Sequence, residues 1–455
     1  MMNQQLNMYN EPVWFDGKKI NEALFCDSFL STHKILFSNG AFFTPDGRVT
    51  DTLPLRGEIF EMLKHCAVDN IPRKISNIME VLKLEAQVED FPPEQDRIHL
   101  SNGTLLLDGC FTEGRPEIVR SRLPVAYNKD APKPMIWLGF LEGLLYPEDI
   151  QTLQEFIGYC LIPSNKGQRM MVIKGKGGEG KSQIGTVLSA LLGSNMKDGS
   201  IGKVSENQFA RADLEHILLC VDDDMQMEAL KKTNYVKSIV TAQGKMDLEQ
   251  KKKQSYQGWM FARLLAFSNG DLQALYDRSD GFYRRQLVLT TKEKPAERVD
   301  DPDLAEKMIA EAQGIFLWAF EGLQRLVANN FKFTESERIK ANRDAVKRDN
   351  NNIFDFLESE GYIRFKADGM ISSADLYESY VLWCEENSFN GLKRRSFSDA
   401  MIEYSSKYGL EYCNNIINRA GRRVRGFKGI ESVNRPDNNG FYPVSSHTYV
   451  PEEWR

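Results

Sequence analysis

The chain has little of what would place it in a membrane, a secretory route or a zinc-stapled fold. No stretch approaches an uninterrupted apolar span of membrane length, and Met1-Met2-Asn3-Gln4-Gln5 lacks a basic patch followed by an apolar core. Neither a transmembrane helix nor a signal peptide is therefore expected. The seven cysteines stand singly, from Cys26 through Cys66, Cys110, Cys160, Cys220 and Cys384 to Cys413, without one C-x-x-C pair. That spacing gives no start for a zinc ribbon and reads as free thiols in a reducing cytoplasm. Positive charge is also short: 58 Lys and Arg against 64 Asp and Glu leave a net charge of −6. A polyanionic partner must then be met by local basic patches, not by a global field. The rest is ordinary for a globular protein, 42% hydrophobic and 27% charged over 455 residues, long enough for roughly two to four domains.

The most informative stretch is Gly175-Lys176-Gly177-Gly178-Glu179-Gly180-Lys181-Ser182, set between the apolar run Met170 to Ile173 and a helical pattern from Ile184 to Leu192. This is the pattern of a phosphate-binding P-loop. A buried strand ends, the backbone turns so that several N–H groups converge, and a helix begins with its positive end facing the same place. Gly175, Gly177, Gly178, Glu179, Gly180, Lys181 and Ser182 form the expected nucleotide cradle. In it Lys181 meets the β and γ phosphates of ATP and the Ser182 hydroxyl supplies one ligand to Mg²⁺.

Three further strand ends carry candidate chemistry. Ile217 to Val221 stops on Asp222-Asp223-Asp224, where one acid is expected to hold the hydrated metal, with Asp222 the metal candidate, and another to polarise the attacking water, the division of roles among the three staying open. Leu264 to Phe267 ends in Ser268-Asn269, and Asn269 at a strand edge beside the P-loop suits a γ-phosphate sensor. Asp280-Gly281-Phe282-Tyr283-Arg284-Arg285 precedes a strand from Gln286 to Leu289. An arginine there suits a finger reaching a neighbouring subunit's γ-phosphate.

This order of parts resembles the superfamily 3 helicases, AAA+ ring motors of viruses and mobile elements. The upstream runs Asn102 to Leu107, Leu123 to Tyr127 and Phe156 to Leu161 are similar to the helicase-adjacent region of phage and plasmid primase-helicases related to the poxvirus primase-helicase. The resemblance implies an α/β fold with an AAA+ P-loop ATPase core, between an N-terminal α+β and helical domain and a C-terminal winged-helix domain. It implies a homo-hexameric ring that hydrolyses ATP with Mg²⁺ between subunits and moves 3′ to 5′ along DNA in the bacterial host cytoplasm. Carried over by residue, Lys181, Asp222, Asp223 and Asn269 are catalytic, Arg285 is the preferred finger with Arg284 beside it, and Asp224 is an extra acid. The stretch Gly244 to Tyr256 corresponds to a channel hairpin, whose Lys251, Lys252 and Lys253 would grip the DNA backbone.

The expected domains are 1–95, 96–165, 166–345 and 346–455. Residues 1–95 mix strand-like runs at Ile35 to Phe37 and Ala41 to Thr44 with a helix around Ile59 to Leu63, and Gly314 to Leu323 reads as part of the ATPase lid. The charged stretch from Ile339 to Asn352 reads as a linker. Beyond it, helix, helix, a basic helix start at Arg394-Arg395 and a basic hairpin with Arg423 and Arg425 resemble the winged helix that ends many phage primase-helicases. Single-stranded and forked DNA are the expected partners. With no zinc ribbon and no carboxylate constellation for nucleotidyl transfer, a separate primase and other replication proteins complete the list. Two other readings stay open: an origin-binding or remodelling ATPase without processive unwinding, and a non-enzymatic DNA-binding regulator switched by ATP.

Overall fold

The computed structural model describes residues 12–433 apart from 67–68, 224, 226–229, 231–232, 252–253, 270–279, 296, 298, 350–351, 360, 388, 390 and 418–420. The chain divides into two compact units, 1–346 and 347–455. Among the described residues no helix is long and apolar enough to cross a membrane.

The first unit opens with helix Glu22–Thr32, an antiparallel sheet of β1 (Leu36–Ser38), β2 (Ala41–Thr44) and β3 (Gly47–Arg48), and helices Leu53–Leu63 and Ile71–Glu85. The outer two helices are not among the elements expected from the sequence. The second of them buries Ile75, Ile78, Met79 and Leu82, the 3.6-residue stripe of a core-facing helix. A second antiparallel sheet follows, β4 (Arg97–Leu100), β5 (Gly103–Leu106) and β6 (Phe111–Glu113), with Ser101-Asn102 at its first turn. Helices Met135–Leu144 and Pro147–Tyr159 then lead to the central sheet.

That sheet is parallel and five-stranded: β7 (Met170–Lys174), β8 (Met196–Asp198), β9 (Leu219–Asp222), β12 (Arg263–Ser268) and β13 (Gln286–Thr290). Between β9 and β12 rises an antiparallel hairpin, β10 (Lys245–Leu248) with β11 (Tyr256–Trp259). The sheet's spatial order is β13-β7-β12-β9-β8, or 5-1-4-3-2 by position in the chain. Every side chain of β9 and β12, and all but the last of β7 and β13, is buried, as a parallel sheet covered on both faces requires.

Helix Ala312–Ala328, expected to form part of a lid, packs along helix Pro147–Tyr159. A Cβ on Gly158 would stand 2.3 Å from the carbonyl of Ala319, and one on Gly322 would stand 2.5 Å from that of Gln154. The glycines let the two backbones touch, and Arg325 Nε fixes the seam at 2.8 Å from Glu155 Oε1. The expected linker stretch holds the division between the two units, at 346/347, and is helical from Glu337 to Asp349. Ile339 and Val346, two turns apart, are buried, while Arg343 pairs with Glu335. Its charge marks a solvated helix face rather than an unstructured segment.

In the second unit, helices Asn352–Glu358, Ser373–Glu386 and Arg394–Tyr404 pack with an antiparallel sheet of β14 (Ile363–Ser372), β15 (Glu411–Ile417) and β16 (Arg423–Ser432), ordered β14-β16-β15. The long β14 is absent from the sequence reading. Ser372 caps the second helix, its Oγ accepting from Asp375 N at 3.1 Å. Phe356, Tyr380, Trp383 and Phe397 form the aromatic centre.

Candidate nucleotide site

Strand register assembles the site. Ser268 of β12 stands opposite Lys174 of β7, and Gly175 N donates to Ser268 O at 3.0 Å. Asn269, one residue past β12, is thereby level with the first glycine of the P-loop. On the other side of β12, Asp222 pairs in register with Ala266, so the acidic strand lies one strand removed from the P-loop and its end faces the same edge of the sheet.

The loop turns through Gly177 (φ +106°), Gly178 (φ +79°) and Gly180 (φ +99°), a conformation that side chains disfavour. Helix Ser182–Leu192 starts directly after it. Lys181 is only 7% exposed, and its Nζ donates to Glu179 Oε2 at 2.8 Å and to Asn269 Oδ1 at 3.3 Å. Glu179 Oε1 accepts from the backbone N–H of Lys176 and, at 2.9 Å, from that of Gly177. Burial pushes the Glu179 carboxyl up, but the Lys181 ammonium and the loop N–H groups outweigh it and hold the group below its ordinary range. Glu179 thus ties the front of the loop to its lysine. The P-loop pattern marks position 179 only as variable, so this brace was not legible in the sequence.

An open cleft of ≈ 600 Å³ lies over the loop, lined by Gly177 to Gln183, Asp223, Phe267 to Asn269 and the segment 300–304. Ser182 and Asp223 are exposed to it. A hydroxyl and a carboxylate form a small, hard oxygen set, which fits Mg²⁺ that retains most of its waters. Asp222 is buried and absent from the lining; its Oδ2 accepts from Ile201 N at 2.7 Å. The two acids thus differ in exposure: Asp223 faces the cleft, whereas Asp222, the metal candidate from the sequence, anchors a neighbouring helix. Asp224 lies outside the described residues. Asp300 and Asp301, which the sequence reading passed over, face the cleft from the loop ahead of helix Leu304–Ala310. Only the acidic Asp300-Asp301-Pro302 before a helix hinted at them.

The arginine pair separates in the same way. Arg285 turns its Nη1 onto the carbonyl of Gly281, while Arg284 is exposed. On the hairpin, Lys251 is exposed in the tip between β10 and β11; Lys252 and Lys253 lie outside the described residues. The hairpin's base is firmly tied. Tyr256 OH donates to Glu215 Oε2 at 2.6 Å, and Asp90 accepts from Trp259 Nε1 at 3.0 Å and pairs with Lys245 at 3.2 Å. In the second unit Arg394, Arg395, Arg423 and Arg425 are all exposed. Arg394 and Arg395 open a helix and Arg423 and Arg425 lie in the final strand.

Comparison with known proteins follows this geometry. A model described as a family of unknown function, DUF5906, matches residues 173–285, about a quarter of the chain. The match begins at the end of β7 and stops at Arg285, so it takes in the P-loop, the acidic strand, the hairpin and Asn269. An A-form apo structure of the C-terminal region of NrS-1, residues 305–718, is similar with 10% identity and a TM-score of 0.50, over 90% of this chain and 99% of that one. A further apo structure of the same region is 13% identical with a TM-score of 0.47, over 90% and 100%. At these identities the likeness is one of fold: a mixed α/β chain with a parallel sheet and helices.

Proposed function

We propose that the chain is an ATP-dependent, ring-forming DNA helicase that moves 3′ to 5′ and serves replication of a phage or mobile element, with a separate primase. The observation that carries this reading is the convergence of Lys181, Asn269, Ser182 and Asp223 on one cleft at the edge of a 5-1-4-3-2 parallel sheet. That strand order, with the strand ending at Asn269 between the P-loop strand and the acidic strand, is the one expected of an AAA+ core and supports the ATPase reading.

In this reading Lys181 and the loop N–H groups hold the β and γ phosphates, Ser182 and Asp223 hold the metal's water shell, and Asn269 positions the attacking water. Asp222 supports Asp223 from behind. Arg284 is the finger across the subunit seam, because Arg285 is spent on its own backbone. Lys251 at the hairpin tip contacts phosphate without reading sequence. The winged-helix reading of the second unit is supported by its basic residues. Cations at a helix N-terminus oppose the helix dipole, so Arg394 and Arg395 do not stabilise their helix there and are better explained by a DNA phosphate.

The test is unwinding of a forked duplex by the full chain. ATP-driven strand separation that needs a 3′ tail and is lost in Lys181→Ala is expected. Hydrolysis without separation on any fork sinks the helicase in favour of a remodelling ATPase, and ATP binding without hydrolysis leaves the switch-type regulator.

A further inference from the structure

The N-terminal sheet and its helices enclose a second cavity, of ≈ 380 Å³, in a region that the nucleotide-site reading leaves without a role. Three cations enter its lining from three different elements: Arg48 from β3, Arg56 from helix Leu53–Leu63 and Lys83 from helix Ile71–Glu85. Thr50 and Thr52 add hydroxyls, Phe37 adds a half-buried ring, and no carboxylate is in the lining.

Among the described residues Arg48 and Arg56 make no ion pair within salt-bridge distance, although the buried Glu215 carboxylate is near enough to act on Arg48. Lys83 makes one, with Glu80 one turn back at 2.7 Å, but that carboxylate is 72% exposed and outside the cavity. In a chain with a net charge of −6, gathering three like charges around a concavity whose lining holds no acid costs repulsion that the buried Glu215 carboxylate offsets only for Arg48 and that an anion in the cavity relieves for all three. The two guanidiniums present forked donors, the geometry that suits phosphate oxygens.

We propose that this cavity binds a backbone phosphate of single-stranded nucleic acid, held by Arg48 and Arg56 with Lys83 at the rim. A duplex carries its phosphates on a stiff convex surface, whereas a single strand bends into a concavity and can set a base against a ring such as Phe37. The inference goes beyond the helicase reading. It assigns a strand-holding role to residues other than the hairpin lysines and the C-terminal arginines, and it does not depend on ATP turnover.

The test uses the full chain carrying Lys181→Ala, so that the P-loop lysine does not contribute, and a labelled oligothymidylate of about 15 nucleotides. Anisotropy titrations from low to moderate salt give the affinity and its salt slope. Arg48→Gln with Arg56→Gln is expected to weaken binding at least about tenfold at low salt and to make the slope shallower by about 1.4, from about 0.7 per lost contact. Arg48→Lys with Arg56→Lys should keep most of that slope. Because Arg48 is partly buried, Lys83→Gln serves as a variant with little risk to folding and should cost about 0.7 of slope. Unchanged affinity and slope in both the double variant and Lys83→Gln overturns the proposal. So does loss of thymidine monophosphate binding in the double variant with oligothymidylate binding unaltered, which would make the cavity a mononucleotide site.

Discussion

The cations of the P-loop and those of the C-terminal unit are built in opposite ways. Lys181 is enclosed, paired with Glu179 at 2.8 Å and set against Asn269, so its position is fixed before any phosphate arrives. Arg394, Arg395, Arg423 and Arg425 are exposed, and Arg395 reaches Asp399 only at 4.0 Å. A group that must stabilise charge developing in a reaction gains from being held rigid. A group that must follow a backbone of varying shape gains from side-chain freedom and water. Stability and function should therefore be entangled at the loop and separable on the basic surface.

The sharpest way to break that contrast is to split the Lys181–Glu179 pair from either side. Lys181→Ala is expected to lower ATP turnover by about 10²–10³-fold or more, yet to cost only about 1 kcal/mol of stability, because Glu179 keeps its backbone N–H donors. Glu179→Ala removes three acceptor contacts and leaves the buried ammonium only Asn269, so it should cost about 3 kcal/mol with a smaller loss of turnover. Urea denaturation beside steady-state hydrolysis reads both. Equal stability losses in the two variants would mean that Glu179 does not brace the loop.

On the other side, replacing the four arginines together by Gln should make forked-DNA binding less salt-dependent by about 0.9 per lost contact and leave the stability of the chain within about 0.5 kcal/mol. A wild-type salt slope in this variant would move the DNA contacts of that unit elsewhere.

The difference between the regions also decided what could be read from sequence. The P-loop, the buried strands and Asn269 were legible because each is a local pattern: glycines where the backbone turns left-handed, apolar runs where both faces are covered, a polar residue at the strand end. The roles of Asp222 and Asp223 were not, because their division depends on which side chain meets the helix at Ile201 and which the cleft. Arg284 and Arg285 posed the same problem, since adjacent residues differ only in which one turns back on Gly281. Charge misled once: the acidic and basic mixture of 337–349 hides a helix whose inner face carries Ile339 and Val346; and the packing of the stretch read as a lid was not legible, because its glycines answer a partner far away in sequence. The three cations of the N-terminal cavity share no motif; only the fold brings them to one place.

A smaller effect tests the buried side of the comparison at the foot of the acidic strand. His216, just ahead of β9, is 5% exposed with φ +70°, and its Nδ1 accepts from the Arg120 guanidinium. Burial first, then the charges of Arg120 and Arg48, hold its pKa well below the ordinary value. The native chain therefore refuses a proton that the unfolded chain takes, and stability present above about pH 6.5 is lost as pH falls through it, on the order of 1–2 kcal/mol by pH 5. Neighbouring Glu215 acts in the opposite sense: burial raises its carboxyl, against the Tyr256 hydrogen bond and the arginines, so acid favours its native form. Comparing the wild-type chain with His216→Asn cancels that contribution, because Asn tolerates the left-handed backbone, offers an oxygen to Arg120 and does not titrate. Melting curves of the two should converge between pH 8 and pH 5. Parallel curves would mean that His216 carries its proton in the native chain, and that the base of the acidic strand is wetter than its burial implies.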